Sequence, residues 1–376
     1  MRELSDIRAE LDVIDKKITE LFEKRLELVS QVAEYKIANG KPVLDRKREA
    51  EKLVRLSALA GSEFSKIGVR ELFEQIMAIS RKRQYQLLTG SGQGEDTGFE
   101  VKDSIDFAHA RVVYQGVEGA YSQMAMHAFF GEHTNSFHVE TWRNAMEALK
   151  NGDADFAVLP IENSSAGIVS ENYDLLVEYD NYIVGEQTIK VDHALLGLPE
   201  AEISDITCVY SHPQALMQCV DFLDEHRDWE RISLKNTAMS AKKVVEDRRK
   251  NQAAIANPLT AEIYGLKVLK SSINYSSENS TRFIIVSGKK MCKRDAKKIS
   301  ICFEIPHESG SLYHMLSHII YNNLNMNKIE SRPIKDKSFE YRFFVDFEGN
   351  LKDGAVQNAL TGLAEEAGKL RILGNY

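Results

Sequence analysis

Apolar residues recur every three or four positions in the first part of the chain, and this spacing predicts long helices. The first such run starts at Leu4, and neither glycine nor proline interrupts it before Gly40. Two further helical stretches follow, at about 45–60 and 66–88. Three helices of such unequal length cannot cover one long apolar stripe, so residues 1–90 are predicted to form an all-α three-helix domain that dimerises.

A polar stretch separates these helices from a different pattern. Residues 91–110 are predicted to be a linker. The glycine-rich run 90–98, which begins at the end of the last helix, is predicted to be flexible. From 111 to 288, short apolar runs alternate with helical stretches, which is typical of an α/β domain with a mostly parallel sheet. Residues 289–298 carry six basic side chains in ten and are predicted to be a second, solvated linker.

The last part of the chain, 299–376, has the order strand, helix, strand, strand, helix, strand. This is the order of a ferredoxin-like α+β fold. We therefore predict a multidomain protein, with an all-α, an α/β and an α+β domain in sequence.

Composition and charge narrow the function. The 376 residues are 43% hydrophobic and 28% charged, as in globular proteins, and no run of about 18 apolar residues could span a bilayer. The N-terminus lacks the apolar core of a secretory signal, and the four cysteines show no paired spacing, so we expect reduced thiols in a cytoplasmic protein. A net charge of −8 argues against nucleic-acid binding. The slightly basic first 90 residues suit either a small anionic ligand or a solvated helical surface.

Polar side chains recur at helical spacing on the three predicted helices. Arg25 and Lys36 are eleven residues apart, which places them within about 20° of each other, whereas Arg8 lies about 80° away from Lys36. The remaining positions lie one turn apart on the second and third helices and are Asp45, Arg48, Glu49, Ser80 and Gln84. Such residues are singly most often solvated surface, but together they indicate a site.

The runs LSDIRAELD, PVLDRKREAE and SRKRQ resemble the all-helical chorismate mutase family. The resemblance implies an interlocked dimer in which Arg8 enters the partner's site, and it makes these eight residues the chorismate site. Chorismate is a dianion that rearranges without an acid, base or nucleophile, and arginines can bind its carboxylates bidentately. Lys36 and Gln84 are expected to donate hydrogen bonds to the breaking ether oxygen, and Glu49 to accept one from the ring hydroxyl.

Polar loops follow several of the predicted strands in the middle segment. The run PIENSSAG (160–167) could bind a carboxylate through its backbone, and YSHPQALMQC (210–219) opens a helix for which Ser211 is a plausible cap. The glycines of YQGVEGAYS (114–122) are a weak anion-loop signal, and such a pair usually forms only a tight turn. A long polar run ends at Thr281 and Arg282, directly before the apolar Phe-Ile-Ile-Val.

These motifs, with NSTRF, resemble prephenate dehydratase over residues 111–288. The resemblance implies two lobes around a cleft, similar to type 2 periplasmic binding proteins, with Thr281 as the catalytic residue. A threonine hydroxyl held in a water-poor cleft can donate a hydrogen bond to the departing ring hydroxyl. Arg282 could bind a carboxylate or form a structural ion pair. The other substrate or supporting positions that we predict are Asn163, Ser164, Ser211 and Gln218.

Two motifs in the last segment, ESGSL and ESRP, resemble the ACT domain of prephenate dehydratases. There the two stretches bind phenylalanine at a domain dimer interface. The predicted allosteric residues are Gly310, Ser311, Leu312, Glu330, Ser331, Arg332 and Pro333. The pair His314 and His318 lacks a recognisable third ligand, so we expect no metal and no cofactor.

The three segments together resemble bifunctional chorismate mutase–prephenate dehydratases of phenylalanine biosynthesis. This implies chorismate and prephenate as substrates, L-phenylalanine as feedback inhibitor, and a homodimer or higher even homo-oligomer without nucleic-acid or membrane partners. Two alternatives remain. The middle domain could act on arogenate, or the chain could be a non-catalytic amino-acid sensor, although its intact Thr281, Lys36 and Gln84 argue against the sensor.

Overall fold

A computed structural model describes residues 2–90, 97–335 and 337–376. The chain divides into two compact units, of which the first comprises Met1–Thr97 and Lys297–Ile372 and the second comprises Gly98–Ala296 and Leu373–Tyr376. Most of the glycine-rich run predicted to be flexible, 91–96, lies outside the described residues.

Twelve α-helices lie within the described residues, together with a short 3₁₀ turn. The helices are α1 (Leu4–Ala38), α2 (Arg46–Ser57), α3 (Glu63–Gly90), α4 (Tyr121–Phe130), α5 (Trp142–Asn151), α6 (Ser170–Glu178), α7 (Pro213–Gln218), α8 (Val220–Asp224), α9 (Thr237–Asp247), α10 (Pro258–Tyr264), α11 (Ser311–Ile320) and α12 (Gly354–Glu366).

Seventeen strands lie in the same described ranges. They are β1 (Glu100–Lys102), β2 (Val112–Gln115), β3 (Ser136–Val139), β4 (Phe156–Asn163), β5 (Gly167–Ile168), β6 (Tyr182–Lys190), β7 (Ala194–Gly197), β8 (Cys208–Ser211), β9 (Glu230–Ser233), β10 (Gln252–Ala256), β11 (Lys267–Lys270), β12 (Ser280–Ser287), β13 (Met291–Lys293), β14 (Lys298–Glu304), β15 (Met326–Pro333), β16 (Tyr341–Glu348) and β17 (Lys369–Asn375).

The first unit begins with the three predicted helices, and the structure confirms them. Asp45 caps the start of α2, because its carboxylate accepts a hydrogen bond from Arg48 N at 3.0 Å. Among the described residues of α1, only Val29 and Ala33 are buried. Most of its apolar stripe, from Leu4 to Val32, is therefore exposed in the single chain.

The rest of the first unit has the predicted strand–helix–strand–strand–helix–strand order. Its strands lie in the order β15-β16-β14-β17, as in a ferredoxin-like sheet. Helices α11 and α12 pack beside α3, where Lys82 donates to Ser317 Oγ at 3.1 Å and the rings of Tyr85 and His318 meet edge to face. The last residues of β17 belong to the second unit, where Gly374 pairs with Ile183.

The second unit contains two main sheets, which form the two predicted lobes. One has the strand order β6-β12-β4-β2-β3 and the other β11-β7-β10-β8-β9. In the second sheet, β10 is buried on both faces, because its alternate residues belong to two different apolar clusters.

The prediction of a mostly parallel sheet is wrong for about half of this unit. Strand β2 runs parallel to β3 and β4, and β8 runs parallel to β9 and β10. Strand β12, however, is antiparallel to both of its neighbours, β4 and β6. The chain leaves the first sheet after β6, builds the second sheet, and returns as β12. This returning strand carries Thr281 and Arg282.

The second predicted linker, 289–298, is not a solvated segment throughout. Strand β13 pairs in parallel with β1, and its residues Met291 and Cys292 are only 5% and 2% exposed. Basic residues surround these two in the sequence, but Met291 still packs into the apolar cluster of the first lobe. All four cysteines are buried, and none of them forms a disulfide with another described residue. None of the described helices is long and apolar enough to cross a membrane.

Candidate active sites

A cavity of about 380 Å³ lies among the three helices of the first unit. It is lined by seven of the eight predicted chorismate residues, namely Arg25, Lys36, Asp45, Arg48, Glu49, Ser80 and Gln84. The other residues that line it are Val29, Val32, Tyr35, Lys41, Val43, Lys52 and Met77. The sequence signals on three separate helices therefore converge on one site.

Helix α1 contributes two cations to this cavity at the point where it first becomes buried. Arg25 donates through Nη1 to the hydroxyl of Ser80 and to Ile76 O at 3.4 Å, which ties α1 to α3. Lys36 Nζ donates to Val43 O at 2.6 Å, in the loop that leads to α2. Each cation keeps further N–H groups for a ligand, since lysine has three donors and arginine five.

The cavity is cationic. Within the described part of the chain its lining carries five Lys or Arg side chains and two carboxylates. Burial lowers the pKa of the Lys36 ammonium, and the nearby carboxylate of Asp45 opposes this effect. Burial also lowers the pKa of Lys52, and the charges of Arg25 and Arg48 add to that shift. The excess of positive charge suits a dianion.

Two further polar groups are held in place beside these cations. Gln84 Nε2 donates to Ser80 O at 3.3 Å, and the buried Gln84 Oε1 has no partner among the described residues. The second hydrogen on this nitrogen can reach a ligand. Glu49 Oε2 accepts a hydrogen bond from Arg81 Nη1, which fixes the carboxylate at the edge of the cavity.

Arg8 lies elsewhere. It sits on the exposed N-terminal half of α1 and outside the set of described residues that line the cavity. On a regular helix, the side chains of Arg8 and Lys36 point in directions about 80° apart, which agrees with the position of Arg8 outside the cavity.

In the second unit, Thr281 lies at the start of β12 and pairs in register with Asn163 at the end of β4. Asn163 Nδ2 donates to Thr281 Oγ1 at 2.8 Å and to Asn279 Oδ1 at 2.9 Å. The Oδ1 of Asn163 accepts from the hydroxyl of Ser165 at 2.8 Å. Thr281 therefore receives a hydrogen bond from Asn163, which leaves its own O–H free to point at a ligand.

The network continues from Ser165 into the other lobe. Gln218 Nε2 donates to Ser165 Oγ at 2.7 Å, and His193 Nε2 donates to Gln218 Oε1 at 2.9 Å. His193 is 2% exposed, and its burial lowers the pKa of the imidazole, so the ring is neutral near pH 7. Tyr121 O–H lies 3.1 Å from the other ring nitrogen. This chain of contacts joins Thr281 and Gln218 across the two lobes.

Two predicted residues have mainly structural contacts. Ser164 Oγ accepts from Ser280 N at 3.0 Å and so binds the loop after β4 to the start of β12. Ser211 is fully buried and donates to Ile255 O at 2.7 Å, between β8 and β10. Ser211 is not the cap of the following helix, because His212 occupies that position and accepts from Gln214 N.

Arg282 does not join the Thr281 cluster. Adjacent residues of a strand point to opposite faces of the sheet, and the Arg282 guanidinium donates to Glu162 at 3.0 Å and to Glu186 at 3.2 Å. The ion pair that the sequence left open as one possibility for Arg282 is therefore present, and carboxylate binding by Arg282 stays a prediction.

Sequence reasoning missed three members of the Thr281 network. Ser165 and Asn279 lie inside the motifs PIENSSAG and NSTRF, so their position beside Asn163 and Thr281 was a usable signal. His193 lies in no recognised motif. Asn279 is 1% exposed, and its Nδ2 has no hydrogen-bond partner among the described residues.

The two motifs predicted to bind phenylalanine lie in the first unit. Gly310 directly precedes α11 and has φ +81°, a left-handed conformation that favours glycine. The ESRP motif lies on β15, the edge strand of its sheet, and its residues alternate between exposed and half-buried. His318 Nε2 lies 3.1 Å from Glu366 Oε1, and no group of three or more described His, Cys, Asp and Glu side chains could hold a metal ion.

Comparison with known proteins adds independent evidence. Family models match the chain as chorismate mutase type II over residues 7–85 and as prephenate dehydratase over residues 112–291. A bifunctional chorismate mutase/prephenate dehydratase of Buchnera aphidicola subsp. Schizaphis graminum is 32% identical, over 100% of this chain and 96% of that protein.

Two further proteins match most of this chain. The arogenate dehydratase/prephenate dehydratase 1 of Arabidopsis thaliana is 38% identical over 72% of this chain and 73% of that protein. The crystal structure of a prephenate dehydratase from Arthrobacter aurescens, in complex with L-Phe, has a TM-score of 0.65 and 30% identity, and covers 71% of this chain and 89% of that one. The chain therefore belongs to the bifunctional chorismate mutase/prephenate dehydratase family, whose two reactions convert chorismate to prephenate and prephenate to phenylpyruvate.

Proposed function

We propose that chorismate reacts in the cavity between α1, α2 and α3. The observation that carries this assignment is the convergence of seven predicted residues on one cationic cavity. Arg25 and Arg48 bind the two carboxylates, and Lys36 and Gln84 donate to the ether oxygen as it gains negative charge. Glu49, held by Arg81, accepts from the ring hydroxyl. No proton transfer is required, so the cavity acts by holding a reactive conformation and stabilising charge.

Prephenate reacts beside Thr281 in this proposal. The Asn163 amide donates to Thr281 Oγ1 and so orients the threonine hydroxyl hydrogen away from Asn163. That hydrogen donates to the departing ring hydroxyl while carbon dioxide leaves from the opposite end of the ring. Aromatisation supplies the driving force, and a fixed donor lowers the barrier by stabilising charge on the leaving oxygen. Ser165 holds Asn163 in place, and Gln218 of the second lobe in turn holds Ser165.

Prephenate, rather than arogenate, is the expected input of the second unit. The name of the Arabidopsis relative includes both activities, and the two substrates differ by one amino group. A mutase carried on the same chain produces prephenate, so this substrate is supplied where it is consumed. Turnover of purified arogenate and prephenate by the same preparation would rank the two.

The chorismate site is complete only in a dimer. The exposed stripe of α1 includes Leu4, Leu11, Ile14 and Ile18, each at least half exposed in the single chain. A helix that exposes such a stripe buries it against another apolar surface, and a second copy of α1 supplies one. Arg8 lies on the same exposed half of the helix, where it can reach the cavity of the partner.

Replacing Ile14 with Glu should therefore yield monomers and lower the mutase activity by about 100-fold, as expected when a group that binds charge is lost. The dehydration of added prephenate should be nearly unchanged. Lys16→Glu is the matched control, because two residues rotate an α-helix by about 200° and place the same new group on the opposite face. Sedimentation velocity and both activities check the result. A dimeric Ile14→Glu variant, or a fully active monomer, would contradict the assignment.

The ferredoxin-like part of the first unit acts as an ACT domain that senses phenylalanine. A dehydratase relative has been crystallised in complex with L-Phe. The motif residues Ser309 and Ser311 line a cavity of about 440 Å³, and β15 is an edge strand that a second copy can extend. An inhibitor must bind the less active arrangement more tightly, and a differential affinity of about 1–3 kcal/mol gives roughly 5- to 150-fold coupling.

Replacing Glu330, Ser331 and Arg332 together with Ala should leave dehydration running but abolish its response to phenylalanine. The exposed Lys352→Ala is the control and should keep the response. Point changes are sharper than deletion of 299–376, since that deletion also removes the buried Leu373 from the second unit. Initial rates with prephenate, with and without L-phenylalanine, give the answer. Undiminished inhibition of the triple variant would indicate competition in the dehydratase cleft instead.

A further inference from the structure

Arg81 lies on α3 of the first unit and joins two carboxylates that are far apart in the sequence. Its side chain is almost fully buried, at 8% exposure for the residue. The guanidinium donates through Nη1 to Glu49 Oε2, at the edge of the chorismate cavity, and through Nε to Glu366 Oε1 at 3.0 Å, at the end of α12. The planar guanidinium presents several N–H donors at fixed angles, and so it holds the two carboxylates in a defined geometry.

The charged forms of Arg81 and Glu366 stabilise each other. Burial opposes the charged form of Arg81, but Glu366 and then Glu49 outweigh it and raise the pKa of the guanidinium. Burial would raise the pKa of Glu366, but the hydrogen bond from His318 and the charge of Arg81 lower it to about 2. Arg81 and Glu366 are therefore both charged near pH 7.

The adjacent residue, Glu365, holds the loop between α1 and α2. Its Oε2 accepts from Leu44 N at 3.0 Å and from the hydroxyl of Tyr85 at 2.9 Å. Leu44 directly precedes Asp45, which caps α2, and the carbonyl of its other neighbour, Val43, accepts from Lys36 Nζ. The end of α12 thus anchors the backbone between Lys36 and Asp45, two of the predicted chorismate residues.

These contacts give the C-terminal segment a part in the mutase site. We infer that Arg81 is a positioning residue for the chorismate reaction, which holds Glu49 in its working orientation and is itself held by Glu366 of α12. The inference rests on the proposed role of Glu49. With Oε2 of Glu49 bound to Arg81, Oε1 is the oxygen that accepts from the ring hydroxyl of chorismate. Without Arg81, the carboxylate can rotate and pair with the cations of the cavity instead.

Replacing Arg81 with Met should lower the mutase kcat/KM by about 10- to 100-fold, the loss expected from a displaced site group. Arg81→Lys keeps the charge but loses the fixed fork of donors, so it should restore part of the activity. Glu366→Gln is a milder variant that keeps the size of the side chain and weakens the hold on Arg81, and it should lower kcat/KM in the same direction. Arg83→Met, on an exposed position of the same helix, is the matched control.

A double-mutant cycle with Glu49→Gln separates positioning from general stability. If Arg81 acts through Glu49, Arg81→Met should change kcat/KM by no more than about twofold once Glu49 is already Gln. Dehydration of added prephenate, measured on each preparation, and a thermal unfolding curve check that the variants are folded.

Equal losses from Arg81→Met with and without Glu49 would overturn the inference, as would wild-type mutase activity of both Arg81→Met and Glu366→Gln. Wild-type activity of Glu49→Gln alone would refute the proposed chorismate site and the inference with it. The two failures are therefore distinguishable.

Discussion

Replacement of Thr281 with Ala is expected to abolish the dehydration of prephenate and to leave the mutase reaction intact. Thr281 Oγ1 is the hydroxyl that Asn163 orients at the start of β12. Without it, the leaving hydroxyl loses its donor, and the loss of one such donor lowers turnover by about 10²–10³-fold, which leaves little dehydration to detect. The measurement is the initial rate of phenylpyruvate formation from prephenate, with chorismate consumption followed on the same preparation.

Thr281→Ser is the matched variant, because it keeps the hydroxyl and should retain part of the activity. Asn163→Ala should fall between the two, since it removes the group that orients Oγ1 but leaves the hydroxyl in place. If the Ala and Ser variants at 281 were equally active, Thr281 would serve only to begin the strand, and the proposed mechanism would fail.

The second large effect concerns Lys36 and Gln84. Replacing either with Ala should lower mutase turnover by about 10²–10³-fold, the usual loss for one donor to a developing oxyanion. Dehydration of added prephenate should be nearly unchanged, because Thr281 lies in the other compact unit. Lys47→Ala, at an exposed position of α2, is the control. A parallel loss of both activities would mean that the two units do not work independently.

The pH dependence of the mutase gives a second readout of Lys36. Its ammonium must be protonated to donate to the ether oxygen, and burial lowers its pKa from the ordinary value of 10.5. Mutase activity should therefore decline with rising pH before an exposed lysine would titrate. In the Asp45→Asn variant this decline should begin at a lower pH, because the Asp45 carboxylate raises the pKa of Lys36.

Local patterns predicted much of the fold. The helices of the first unit follow from apolar spacing alone, and the strand order of the ferredoxin-like part follows from alternating apolar and polar runs. The direction of β12 did not follow, because its partners in β4 and β6 lie 90 or more residues earlier in the chain, and only tertiary pairing decides between parallel and antiparallel.

Some residues of the candidate sites were likewise predictable from local patterns, and others were not. Lys36, Glu49 and Gln84 were predictable because helical spacing and family motifs place them on facing surfaces. The ion pair of Arg282 was partly predictable, since neighbouring residues of a strand cannot share a face. Arg81 was not predictable, because the partner that gives it a role, Glu366, lies 285 residues away.

The most direct test of the whole account starts from chorismate alone. Incubated with the purified full-length protein, chorismate should disappear, prephenate should rise and fall, and phenylpyruvate should accumulate to the amount of chorismate consumed. The Thr281→Ala variant should stop at prephenate under the same conditions. Chorismate that is not consumed, or prephenate that accumulates without phenylpyruvate in the wild-type protein, would contradict a bifunctional enzyme with these two sites.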